Sequence, residues 1–135
     1  ALTTILLLAF ANTAFMQTKK NSYLALGDSY TIGEKVPLKK NFPHQTVSLL
    51  KKAGIAINEP TIIAKTGWTT DELQEQLSRT RLAVPFDFVT LLIGVNNQYR
   101  GRSADEYAKQ FEELLQQAIS YAGGNINHVI VLSIP

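Results

Sequence analysis

Tyr23-Leu24-Ala25-Leu26-Gly27-Asp28-Ser29-Tyr30-Thr31 is the stretch on which the fold turns. Apolar, strand-like residues run into a glycine, and a polar cluster follows at once. A buried parallel strand ending in this way places small polar groups at the carboxyl edge of a sheet, where open α/β folds bind their ligands. Gly, Asp and Ser are equally ordinary turn formers. The stretch alone leaves both readings open, and the rest of the chain decides between them.

Working outward, Ser22 to Leu26 is the first expected strand. Thr31 to Asn41, with Gly33, Pro37 and three lysines, reads as a surface loop. Phe42-Pro43 suits the first turn of a helix, where proline gives up only an N–H without an intrahelical partner. Val47, Leu50 and Ala53 line one face of that helix, and Gly54 ends it. Thr61-Ile62-Ile63-Ala64 is a short β-branched run, the second strand. Thr69 followed by Glu72 is a capping-box pattern that opens a helix with Leu73 and Leu77 on one face. Phe86 to Ile93 lacks alternation, as expected of a strand buried on both sides. Ser103 and Glu106 form a second capping-box pattern. Behind it Tyr107, Phe111, Leu114, Leu115, Ala118, Ile119 and Ala122 recur at helical spacing, a core-facing stripe. Gly123-Gly124 stops that helix, and Val129 to Ile134 is the fourth strand. This β-α-β-α-β-α-β order predicts one parallel sheet with helices on both faces.

The bulk properties narrow the function classes. A chain of 135 residues with 45% hydrophobic and 18% charged residues is one globular domain. A formal net charge of +2, with no basic run, leaves no electrostatic footprint for nucleic acid. The absence of cysteine removes disulfides, thiolate metal sites and a cysteine nucleophile. Residues 1–16 differ in kind. Leu2 to Met16 carries no charge, holds Ile5-Leu6-Leu7-Leu8, and offers a small-x-small site at Ala9-Phe10-Ala11. That pattern resembles the apolar part of a secretory signal peptide; the alternative is an uncleaved membrane anchor, against which the stretch is short for a stable span and interrupted by Thr and Asn. The expectation is an exported protein, periplasmic or extracellular, with the working domain over 17–135.

In a parallel sheet every strand's carboxyl end opens on one edge. Strand one delivers Gly27-Asp28-Ser29, strand two Thr66-Gly67, and strand three Gly94-Val95-Asn96-Asn97. A hydroxyl, a glycine N–H and a carboxamide gathered at one mouth are the parts for acyl transfer: a nucleophile, and donors for the oxyanion that develops on the attacked carbonyl. In these blocks the chain resembles the SGNH hydrolases, or GDSL-type lipases and esterases. Gly27-Asp28-Ser29-Tyr30 is similar to their first block, with Tyr30 in place of the usual Leu. The Gly67 loop resembles the second, and Gly94-Val95-Asn96-Asn97 the third, with Asn97 in place of the usual Asp.

The resemblance implies a three-layer α/β/α, flavodoxin-like fold and a serine esterase or lipase acting through an acyl-enzyme on a small-molecule ester. It implies Ser29 as nucleophile, with the Ser29 and Gly67 N–H groups and the Asn96 side chain as the oxyanion hole, and neither cofactor nor metal. Tyr30, Trp68, Asn97 and Arg100 are candidate pocket residues; for Asn97 loop bracing is expected over chemistry, and for Arg100 a solvated loop is the bland reading.

The family draws its catalytic Asp and His from a DxxH block. Asp28, Asp71, Asp87 and Asp105 are followed at the third position by Thr31, Gln74, Thr90 and Ala108, so none fits. His44, at a helix start, and His128, at the amino end of strand four, are poor bases for Ser29. The expectation is a catalytic unit cut short before that block. The competing readings are a flavodoxin-like flavin mononucleotide or phosphate binder at the strand-one loop, and a non-catalytic relative that binds carbohydrate or lipid.

Overall fold

The computed structural model describes residues 19–135; the leader segment expected over residues 1–16 lies outside them. Four parallel strands form one sheet: β1 (Tyr23–Gly27), β2 (Thr61–Ala64), β3 (Phe88–Leu92) and β4 (Val129–Val131), in the spatial order β2-β1-β3-β4. Gly27 pairs with Ala64 on one side and Leu92 on the other, so β1, β2 and β3 end level with one another. The chain moves from β1 outward to β2 and then back across to β3. This puts the reversal of winding between β1 and β3, the position at which such sheets open a crevice.

Alternation within the strands sorts the core into two layers. Leu24, Leu26, Val89, Leu91 and, just past β3, Ile93 face one side, where they pack with Leu73 and Leu77 of α3 (Thr70–Arg79), with Leu114 and Ala118 of α5 (Ala104–Tyr121) and with Ala122 just past its end. Tyr23 and Ala25 face the other, against Val47 of α2 (Phe42–Lys52) and Ile57. The Tyr23 and Phe88 rings stack there with centroids 4.1 Å apart. Tyr23 hydrogen-bonds Thr90 at 2.9 Å, and burial pushes its phenol up to about 12. The three-layer α/β/α fold is as the sequence predicts.

The differences are local. The segment read as a loop from Thr31 is partly helical: α1 (Ser29–Ile32) starts on Asp28, whose carboxylate accepts from Tyr30 N, and stops at Gly33 with φ +69°. A single 3-10 turn follows over Leu38–Lys40. The first strand lies one residue later than expected, because Gly27 still pairs on both sides. The third is shorter than Phe86–Ile93; Phe86 N bonds Tyr121 O in the α5 end instead of a neighbouring strand. The turn after β3 coils into another short helix, α4 (Val95–Tyr99). The fourth strand ends at Val131 rather than Ile134, at the limit of its pairing with β3; only Leu132 N reaches back, to Leu91 O.

Of the two capping boxes one is complete. Thr69 and Glu72 make both reciprocal bonds at α3. At α5 only half forms: Ser103 Oγ accepts from Glu106 N at 3.1 Å, while the Glu106 carboxylate turns to Arg102 and Gln110.

Candidate active site

Ser29 is the first residue of α1, directly beyond the end of β1. It sits there because Gly27 lets the chain pass between neighbours: a Cβ on Gly27 would fall on the Thr31 side chain and the Leu92 carbonyl oxygen. Asp28 then caps the turn from a buried position, and its removal from water raises its carboxyl above the ordinary range. The Ser29 side chain is partly exposed, beside a cleft of about 250 Å³ that it lines with Tyr30, Glu34 and Lys35.

Gly67 occupies the turn between β2 and α3 with φ +82°, a left-handed conformation that favours glycine. Several backbone groups after it are engaged. Trp68 N donates to Lys65 O, Thr69 N donates to Glu72 Oε2, and the Gly67 and Trp68 carbonyls accept from Arg100 and Asn96. Among the described residues neither the Ser29 N–H nor the Gly67 N–H has a protein acceptor within hydrogen-bond distance.

Asn96, in α4, is the side chain that joins the three loops. Its Nδ2 donates to Trp68 O at 2.9 Å and reaches Asp28 Oδ2 at 3.4 Å, touching the second and the first block from the third. Gly94 permits the turn that carries it, with φ +135° and the Tyr107 ring pressed where a Cβ would be. Tyr107 in turn donates from its hydroxyl to Ile93 O at 3.2 Å. Ser29, Gly67 and Asn96 thus stand on consecutive loops at one sheet edge.

The candidate pocket residues divide. Tyr30 is half exposed and flanks Ser29. Trp68 is partly buried and packs on the core between α3 and α5; its carbonyl, not its ring, meets Asn96. Asn97 is buried, accepting from Thr70 N at 3.1 Å and donating to Thr70 Oγ1 at 2.7 Å. Arg100 bonds Gly67 O at 2.6 Å and Glu72 at 3.3 Å, and Arg102 pairs with Asp71 and Glu106. The Arg100 contact and the Asn96–Trp68 contact span 33 and 28 positions, and no local pattern in the sequence announces either.

Among the described residues no imidazole or carboxylate hydrogen-bonds the Ser29 hydroxyl. His44 Nδ1 is 2.7 Å from Asn41 Oδ1 and lines a separate cavity with Lys39, Lys51 and Glu59. His128 lies near Asp87, at the amino edge of the sheet, where hydrogen bonds from Ser22 N and Oγ, with Lys19 nearby, hold the Asp87 carboxyl below its ordinary range. No cluster of three His, Asp or Glu side chains suited to a metal occurs among the described residues, and no helix there is long and apolar enough to cross a membrane.

Ser29 past the end of β1, Gly67 after β2 and Asn96 after β3 stand at one edge of a sheet ordered β2-β1-β3-β4. Residues 25–134 match the GDSL-like Lipase/Acylhydrolase family, and the chain belongs to it. Solved structures agree in fold. The SGNH-hydrolase family esterase AlinE4 superposes with a TM-score of 0.69 at 18% identity, over 85% of this chain and 58% of its own. TesA superposes with a TM-score of 0.69 at 16% identity, over 84% and 59%. Axe2, an acetylxylan esterase from Geobacillus stearothermophilus, gives 0.60 at 20% identity, over 82% and 58%. The chain therefore spans less than two thirds of the length of these structures. No curated protein matches it.

Proposed function

We propose that the complete protein is a serine ester hydrolase with Ser29 as its nucleophile. The observation that carries this reading is the pair of N–H groups, on Ser29 and Gly67, that have no acceptor among the described residues and lie at the same sheet edge as the Asn96 carboxamide. Backbone N–H groups left without partners are costly unless water or a ligand satisfies them. Beside a serine hydroxyl, such N–H groups are free to receive the oxygen of an attacked carbonyl.

In this mechanism Ser29 Oγ bonds to the ester carbonyl carbon as a base takes its proton. The carbonyl π electrons move to oxygen, and the oxyanion is held by the Ser29 and Gly67 N–H groups and Asn96 Nδ2. Asn96 gives up its long contact with Asp28 and keeps the shorter one with Trp68 O. The tetrahedral adduct collapses, the alcohol leaves with the proton, and water releases the acid from the acyl-enzyme by the same route in reverse. The base and its orienting acid come, in this proposal, from outside these 135 residues, as the partial coverage of the related structures supports. The family and the charge-free segment over Leu2 to Met16 support an exported enzyme acting on carboxylic esters, with acetyl esters and lysophospholipids among the candidates.

The test is covalent labelling by a fluorophosphonate, together with hydrolysis of short p-nitrophenyl esters. The complete protein is expected to be labelled and active, and Ser29→Ala to lose both. The 135-residue piece alone is expected to retain at most the roughly 10³–10⁴-fold advantage over water that binding and an oxyanion hole leave when a triad is broken. Undiminished turnover by Ser29→Ala would sink the proposal. Tight retention of an ester or sugar by the complete protein without turnover would favour the non-catalytic binder.

A further inference from the structure

The Arg100 guanidinium bridges two loops 33 positions apart. Its Nη2 donates to the Gly67 carbonyl at 2.6 Å while its Nη1 pairs with Glu72 Oε1 at 3.3 Å. Glu72 is itself held, because its other oxygen accepts from Thr69 N at 2.9 Å. At the other end, Arg100 follows α4 directly and its N–H bonds the Asn96 carbonyl at 2.9 Å. One side chain thus ties the turn that carries Gly67 to the helix that carries Asn96. The glycine needs such a tie, since it has no side chain to pack and wide backbone freedom.

We infer that Arg100 is a positioning residue: by gripping the Gly67 carbonyl it holds the Gly67–Trp68 peptide on one side of the Gly67 Cα, and so limits how far the Thr66–Gly67 peptide, which carries the N–H offered to the developing oxyanion, can turn. The inference rests on the reading of Gly67 as an oxyanion donor. Arginine suits the task because its planar fork serves two acceptors at once in fixed geometry, which a lysine ammonium on a flexible stem does not. Both partners of the Arg100–Glu72 pair are well exposed, so the pair adds little to stability. Its effect belongs to alignment, where an error of about 1 Å costs about 100-fold in rate.

The experiment compares the complete protein with Arg100→Met, Arg100→Lys and Ser29→Ala on a neutral ester, p-nitrophenyl butyrate, and with n-butylboronic acid as a tetrahedral mimic. Arg100→Met is expected to lower kcat by about 10- to 100-fold, below the full loss of an oxyanion donor, with KM within about twofold. Boronate affinity falls by the same factor, thermal midpoint stays put, and Arg100→Lys recovers part of kcat. A rise in KM at constant kcat would make Arg100 a substrate contact and overturn the inference, as would unchanged kcat and boronate affinity. If Arg100→Met does not fold, Glu72→Gln, which loosens the guanidinium, is the second variant: kcat should drop several-fold at constant KM, and an unchanged kcat overturns the inference. Ser29→Ala separates the two levels. Activity surviving in that variant removes the nucleophile assignment, whereas its loss beside a wild-type-like Arg100→Met removes only the role of Arg100.

Discussion

Asn97 grips Thr70 from two sides, accepting from its backbone N–H at 3.1 Å and donating to its hydroxyl at 2.7 Å. The hydroxyl passes its own proton on to Gln110 Oε1. The third block is thereby stapled to the first turn of α3 and, through Gln110, to α5. Asn97→Ala strands the buried Thr70 N–H, and the expected loss is about 1–3 kcal/mol of stability. Asn97→Asp keeps the acceptor for Thr70 N, though the Thr70 hydroxyl can reach it only if Gln110 turns its amide round and gives up its bond to Glu106, so it should be milder than Asn97→Ala without matching the parent. Urea midpoints of the complete protein check both; equal midpoints for Asn97→Ala and the parent would contradict the staple.

Gly27→Ala is expected to be among the most damaging single methyl additions in the chain. Its Cβ meets the backbone oxygen of Leu92, which belongs to the paired strand and has nowhere to retreat, and the buried Thr31 hydroxyl, which has no partner among the described residues. Overpacking of this kind costs about 1–3 kcal/mol or more. Thermal unfolding reads the stability, and fluorophosphonate labelling reads the displacement of Ser29. A variant with parent-like values for both would show that the strand end has slack.

Asp28 gives stability a pH dependence of definite sign. Burial raises its folded carboxyl above the unfolded value, so the folded state binds the proton more tightly. Its contribution is largest below the ordinary value of about 3.9 and is lost as pH rises through the raised folded value. Asp28→Asn cannot titrate. The stability of the parent minus that of Asp28→Asn is therefore expected to increase as pH is lowered through this window. Urea titrations at half-unit steps measure it, and a difference that shrinks on acidification reverses the sign and the explanation.

Tyr30 directly follows Ser29, and its ring is half exposed beside it. Tyr30→Leu is expected to change stability by no more than about 0.5 kcal/mol while altering the ratio of kcat/KM between acetyl and longer acyl esters. An unchanged ratio across that series would remove Tyr30 from the pocket wall.

Much of this architecture was legible in the residues. Apolar runs such as Phe86 to Ile93 marked strands because a doubly covered strand must be apolar on both faces. The Thr69–Glu72 box marked a helix start because its chemistry is local. The short helices α1 and α4 were not legible: each is about one turn, too short to carry a periodicity, and each is set by its N-terminal residue, Asp28 or Gly94, and its surroundings. The half-formed box at Ser103 failed for a related reason, since Arg102 and Gln110 compete for the Glu106 carboxylate. Ser29, Gly67 and Asn96 were visible as strand-end residues. The bonds that orient them, from Asn96 to Trp68 and from Arg100 to Gly67, join residues distant in sequence and left no trace there.

Glu72 serves two masters with one carboxylate. It closes the cap of α3 through Thr69 and anchors the arginine that holds the Gly67 turn. Fraying of the first turn of α3 and loosening of that turn are therefore one opening event, not two. Amide exchange at Thr69 should report on the readiness of the site itself, with a protection factor that falls when Arg100 is removed although Arg100 makes no bond to that amide.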